Sequence, residues 1–271
     1  MMGDIMRLLS SRHHPLVATC RTLARSRAGE DNRILLDGTH LVTDAVAAGL
    51  HLETVAFTAR AASTPEAARL IEHLSTTSAD LVQVSESMMA AMSPVSSPSG
   101  VVAIASRPAS SLGLVFGTAP ALVVVAVDVQ EPGNVGAVVR AAEAGGATGA
   151  VFCGESADPF GWKALRGSMG SMLRLPVTAG VPVERALAAA RTAGLRVVAT
   201  IPRGGDRPDS LDLRDPTVLL FGGEGSGLSD EVLTAADARV SIPMHAPVES
   251  LNVAVSAALL VYEAARQRQS I

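Results

Sequence analysis

The chain has 271 residues, 48% of them hydrophobic and 18% charged, with 24 Gly, 15 Pro and a mean hydropathy of +0.33. That is enough apolar material for one large domain or two modest ones, and it excludes disordered and collagen-like chains. A formal net charge of −4 speaks against a general nucleic-acid binder, whose affinity rests on excess Lys and Arg.

From the N-terminus, residues 1–34 carry His13, His14 and several Arg but no apolar stretch followed by a small-residue cleavage site. A secretory signal is therefore not expected, and the cytoplasm is the expected location. Up to position 33 the chain holds Arg7, Arg12, Arg21, Arg25, Arg27 and Arg33 against Asp4, Glu30 and Asp31. This is a locally basic stretch inside an acidic protein, read either as a phosphate-facing edge or as a solvated helix face; Lys163 is the only lysine. Cys20 and Cys153 lie far apart without CxxC spacing, so they predict two packed thiols and neither a disulfide framework nor a zinc site.

Short β-branched runs at 34–36, 54–57, 81–84 and 101–105 alternate with helical patterns at 15–25, 39–48 and 65–74, which reads as a small α/β domain. Residues 93–100 are Ser- and Pro-rich, and 107–119 are rich in small residues, Pro and Gly. The second stretch is taken as a linker, giving domains at 1–106 and 120–271. Beyond it, longer apolar runs at 121–127, 150–153, 196–200, 218–221 and 239–242 suit a parallel sheet covered on both faces. Helices are predicted over 135–144, 183–193, 230–236 and 251–268, and no repeat is evident. The longest apolar run, 251–265, is broken by Asn252, Ser256 and Glu263, so it does not reach the roughly 18 residues of a membrane span.

Ligands of open parallel sheets bind beyond the carboxyl ends of the strands, which draws attention to three segments. In the first, from Asp128 to Arg140, a Pro-Gly turn leads into a helix with Asn134 as its expected N-cap. Gly136 weakens the first helical turn. Arg140, four residues later and leaning towards the N-terminus, is expected to cover the gap it leaves. In the second, Phe221-Gly222-Gly223-Glu224-Gly225-Ser226-Gly227-Leu228, four glycines surround a lone carboxylate without the GxGxxG spacing of dinucleotide sites. In the third, a strand ends at Ile242-Pro243-Met244 and Ser250-Leu251-Asn252-Val253 opens the last helix, with Ser250 as expected cap. Leu251, Val255, Leu259 and Tyr262 form its expected buried stripe.

In this order and spacing, Asn134-x-Gly136-x-x-x-Arg140, Phe221-Gly-x-Glu224-Gly-x-Gly227-Leu228 and Ile242-Pro243-Met244 with Ser250-Leu251-Asn252-Val253 resemble the SpoU (TrmH) family of RNA ribose 2′-O-methyltransferases. A looser match runs from Asp158 through Arg166 and Ser168 to Gly170. The front half, from His14-Pro15 through Ile34-Leu-Leu-Asp-Gly, resembles the RNA-binding domain related to ribosomal protein L30e that many members carry. The one departure is Gly223, where many members have Asn.

The resemblance implies an α/β fold made of an L30e-like N-terminal domain and a C-terminal trefoil-knot (SPOUT) domain, an exception to the rule that chains do not thread loops. It implies S-adenosylmethionine held by Phe221, Gly222, Gly223, Glu224, Gly225, Gly227, Ile242, Met244, Ser250 and Leu251. It further implies a homodimer through the helix after Asn134 and the last helix, and an RNA substrate, 23S rRNA first and tRNA second. Arg140, Asn134, Glu224, Ser250 and Asn252 become the catalytic candidates, and Arg21, Arg25, Arg27 and Arg166 the RNA contacts. No metal is implied. The alternative is a non-catalytic RNA-binding or ribosome-assembly protein of the same fold.

Overall fold

The computed structural model describes residues 7–25, 31–119, 121–225 and 227–268, in two compact units. The first comprises the chain up to Pro108 with Phe160–Arg166. It holds β1 (Arg7–Leu9), α1 (Pro15–Leu23), β2 (Arg33–Asp37), α2 (Thr39–Ala47), β3 (Leu52–Phe57), α3 (Ala59–Ala62), α4 (Pro65–Leu74), β4 (Asp80–Val84), α5 (Glu86–Met92) and β5 (Val101–Ser106). The strands form a mixed sheet in the order β1-β4-β3-β5-β2, antiparallel where β5 meets β3 and β2. On one face Val17, Cys20 and Leu23 of α1 and Met88, Met89 and Met92 of α5 bury against Leu35, Ala56, Val82 and Ile104. His14 caps α1 by accepting from the Leu16 backbone N–H through Nδ1, and Pro15 pre-sets its first turn.

The second unit, Ala109–Pro159 with Gly167–Ile271, opens with α6 (Leu112–Phe116). That helix lies within the stretch read from the sequence as a linker, and its Val115 and Phe116 are buried. There follow along the chain β6 (Leu122–Val127), α7 (Pro132–Ala144), β7 (Gly149–Cys153), α8 (Trp162–Ser168, of which the residues up to Arg166 belong to the first unit), α9 (Ser171–Arg174), β8 (Val177–Val181) and α10 (Val183–Thr192). The chain ends with β9 (Arg196–Thr200), β10 (Thr217–Gly222), α11 (Asp230–Thr234), β11 (Ala238–Val240) and α12 (Val253–Gln267).

All six strands of this unit are parallel, in the order β11-β9-β10-β6-β7-β8. Alternation along them serves two apolar faces. Val123, Val125, Val151, Val197, Ala199, Val218 and Leu220 pack with α6 and α10, and α7 and α12 pack on each other, with α12 against β10 and α7 against β7. Both thiols are buried, and burial pushes each up to about 12, which keeps them as unreactive packing groups.

The last helix buries Val253, Ala257, Leu260, Val261 and Ala264. The stripe read from the sequence is the opposite one: Val255, Leu259 and Tyr262 are 48%, 48% and 46% exposed. No helix among the described residues is long and apolar enough to cross a membrane.

Candidate active site

The strand order decides where a site can form. From β6 the chain moves outward through β7 and β8, then crosses back to build β9, β10 and β11 on the other side. The sheet therefore changes direction between β6 and β10, where the loops leaving neighbouring strands diverge and open a crevice. Asp128 follows β6 there in the left-handed region, φ +57°. Its carboxylate accepts from the Glu155 N–H at 2.8 Å, and its carbonyl faces Gly223 at the end of β10. A Cβ at Gly223 would run into that carbonyl, so an Asn side chain here does not fit this backbone, and Gly is required by close approach.

A cleft of about 700 Å³ opens beside this junction. It is lined by residues 200–203 at and beyond the end of β9, by 221–225, Gly227 and Leu228 at and beyond the end of β10, and by Ile242, Met244 and 250–253 after β11. Every residue expected from the sequence to hold the cofactor lies on its wall: Phe221, Gly222, Gly223, Glu224, Gly225, Gly227, Ile242, Met244, Ser250 and Leu251. The residues 200–203 carry no expectation from the sequence. They follow an apolar strand as the other loops do, and the rule that ligands sit at strand ends would include them.

Three polar side chains from three segments meet at this site. The Asn134 amide donates to Glu224, and Asn252 Nδ2 donates to Asn134 Oδ1 at 3.0 Å. Asn252 Oδ1 in turn accepts from the Ala254 and Val255 N–H groups at 2.9 and 3.3 Å. Asn252, with extended backbone, is thus the N-cap of α12, and Ser250 is not. At α7 the cap is Glu131, which accepts from Gly133 N–H, followed by Pro132 at the first helical position. Asn134 lies inside the first turn, its side chain free to reach Glu224 and Asn252. Both corrections have one cause: the cap sits where the backbone turns into the helix, not at whichever cap-forming residue type stands nearby.

Arg140 is exposed on α7 and lies outside the cleft lining. The chain at Gly167 runs beside Gly136, and a Cβ on Gly167 would lie 3.6 Å from Gly136 Cα. Among the RNA-contact candidates, Arg21 is exposed with Nε donating to the Ala91 carbonyl at 3.0 Å. Arg25 and Arg166 are exposed, and Arg27 falls outside the described residues. Burial pushes the Asp37 carboxyl up against the opposing pull of the Ser93 hydroxyl, 2.5 Å away, and of Arg166. No group of three or more metal-ligating side chains occurs among the described residues.

Residues 121–262 match the SpoU rRNA methylase family, and residues 20–103 match an MRM3-like substrate-binding domain. An uncharacterized tRNA/rRNA methyltransferase of Synechocystis is 34% identical, over 96% of this chain and 94% of its own. The 23S rRNA (uridine(2479)-2′-O)-methyltransferase of Streptomyces viridochromogenes is 33% identical over 91% of this chain and 86% of its own. The S-adenosylmethionine-bound crystal structure of an rRNA methyltransferase from Sinorhizobium meliloti superposes with a TM-score of 0.85 at 28% identity, covering 96% of this chain and 97% of that one.

Two pairs of substitutions test the geometry. Asn252→Ala removes a cap and lowers unfolding stability by about 1 kcal/mol, whereas Asn252→Asp retains the acceptor and most of that stability. Gly223→Ala costs more than about 1 kcal/mol because backbone must move, and Gly225→Ala, whose Cβ meets open space, costs less. Urea unfolding that ranks Gly225→Ala as the more damaging of the pair would refute the close approach at Asp128.

Proposed function

The chain belongs to the SpoU rRNA methylase family of S-adenosylmethionine-dependent RNA methyltransferases, and we propose that it methylates a ribose 2′-hydroxyl of 23S rRNA. The observation that carries the reading is the Asn134, Glu224 and Asn252 chain at a glycine-walled cleft. The likeness to the Streptomyces enzyme named for 23S rRNA supports the substrate. A knotted C-terminal domain is supported by the way the chain at Gly205 and Asp206 is pinned against Arg239 and Ser241, while 250–253 line the same cleft as 221–225.

The cleft suits the cofactor's mixed chemistry. The glycines let a ligand approach the backbone, apolar residues such as Phe221, Leu228 and Val240 offer a surface for a purine, and Arg203 and Glu224 supply opposite charges. When bound, S-adenosylmethionine supplies an electrophilic methyl group on a sulfonium. Glu224 contributes negative charge at the cleft, and Asn134, itself held by Asn252, fixes its carboxylate in one orientation. Ser250 adds a hydroxyl to the same wall.

Arg140 acts on the RNA. A guanidinium, which keeps its proton in ordinary surroundings, is a poor base. It is a good bidentate partner for a phosphate, which would orient the neighbouring ribose and stabilise charge developing on its oxygen. The N-terminal unit grips the RNA with Arg21, Arg25, Arg27 and Arg166, and fixing Arg21 through Nε leaves the end of its guanidinium available to a phosphate. The exposed stripe Val255, Leu259 and Tyr262 supports a homodimer paired through α12 and its neighbour α7.

Transfer of label from S-adenosylmethionine to unmodified 23S rRNA, 16S rRNA and tRNA transcripts tests the reading. Label is expected in 23S rRNA as an alkali-resistant linkage, falling roughly 100-fold or more in Arg140→Ala; label in tRNA alone would overturn the substrate. Replacing Arg21 and Arg25 by Ala should reduce the salt slope of RNA binding by about 0.7–0.9 for each phosphate that is no longer neutralised. Sedimentation should find a dimer that Leu259→Asp with Tyr262→Glu converts to a folded monomer, and a wild-type monomer would sink the paired arrangement.

A further inference from the structure

Two charged side chains line the cleft, Glu224 and Arg203. Glu224 already accepts from Asn134. Arg203 is different. It follows β9, is exposed, and makes no hydrogen bond or ion pair with the described residues. Its loop is nonetheless firmly held. Gly205 N–H donates to Ser241 Oγ at 2.9 Å, Ser241 Oγ donates to the Ile201 carbonyl at 3.0 Å, and Asp206 N–H donates to the Arg239 carbonyl at 2.9 Å. Gly205 lies so close to the backbone at Arg239 and Val240 that a Cβ there would fall 2.7–2.9 Å from it. The backbone on both sides of Arg203 is therefore fixed, and its guanidinium has no partner among the described residues at the wall of a cleft. A loose surface arginine would need no such fixing.

Resting on the cofactor reading above, we propose that Arg203 binds the α-carboxylate of S-adenosylmethionine. The ligand carries three charged groups, a sulfonium, an α-ammonium and an α-carboxylate, and only the carboxylate needs a cation. Arg203 is the one cationic side chain lining the cleft among the described residues. Its planar fork matches a carboxylate through two parallel hydrogen bonds, which an ammonium cannot reproduce. Apolar strand ends and glycine backbone would hold the adenosine, leaving Arg203 to fix the amino-acid end and so the direction in which the sulfonium lies.

The experiment compares S-adenosylmethionine with decarboxylated S-adenosylmethionine, which lacks only the group in question, by calorimetric titration of the full chain without RNA. The wild type is expected to bind the carboxylated ligand roughly ten- to a hundredfold more tightly. In Arg203→Ala that preference disappears, the affinity for the decarboxylated ligand is unchanged, and Arg203→Lys recovers part of the preference. Three results would overturn the proposal: a wild type that does not discriminate, an alanine variant that keeps the discrimination, or one that loses both ligands equally. A wild type that binds neither ligand would instead refute the cofactor reading on which the proposal stands.

Discussion

The site depends on one side chain spanning two others. Asn134 donates to Glu224 and accepts from Asn252, and because an amide is donor and acceptor at once it can join two segments that do not otherwise share chemistry. The partners come from the loop after β10 and the start of α12, about 90 and 118 positions along the chain. Asn252 has a second duty, since its Oδ1 closes the first turn of α12. The last helix, the glycine loop and the first turn of α7 are thus fixed to each other through three side chains, and two of the segments so joined, the glycine loop and the start of the last helix, wall the cleft.

The parallel sheet makes that meeting possible. Each strand must be followed by a crossover before the next can be added, so all the loops leaving the carboxyl ends gather on one edge, and the reversal between β6 and β10 separates them into a crevice. Backbone proximity then governs residue choice. Asp128 in its left-handed conformation brings a carbonyl against Gly223. Gly223 is thus a packing requirement as much as a flexible point.

Much of this is legible in the amino-acid sequence. The apolar runs correspond to β6, β7, β9 and β10 within a residue or two, and the unusual loops after β6, β10 and β11 all reach the site. The short elements β1, α3, α5 and α9 escape a reading by pattern because three to seven residues carry too little periodicity. Caps are ambiguous for a physical reason: several polar residues near a helix start can all serve, and the backbone turn selects one. At α7 the signal is present, since Pro132 marks the first helical position and points to Glu131. Of the apolar stripe visible at 251, 255, 259 and 262, Leu251 lines the cleft and the three residues on α12 face outward instead of into the core, because periodicity tells which residues share a face and not what that face meets. The loop at Arg203 gives no sign of itself because its residues look ordinary in one dimension and acquire meaning only beside the glycine loop.

The most direct test of the central claim is a double-mutant cycle on kcat/KM for methyl transfer with Asn134→Ala, Asn252→Ala and the pair. If the three side chains act as one network, the double variant loses about as much as the worse single variant, and the coupling energy exceeds about 1 kcal/mol. Losses that add to within about 0.5 kcal/mol would show that Asn134 and Asn252 work independently, and the account of a site held together through Asn134 would be wrong.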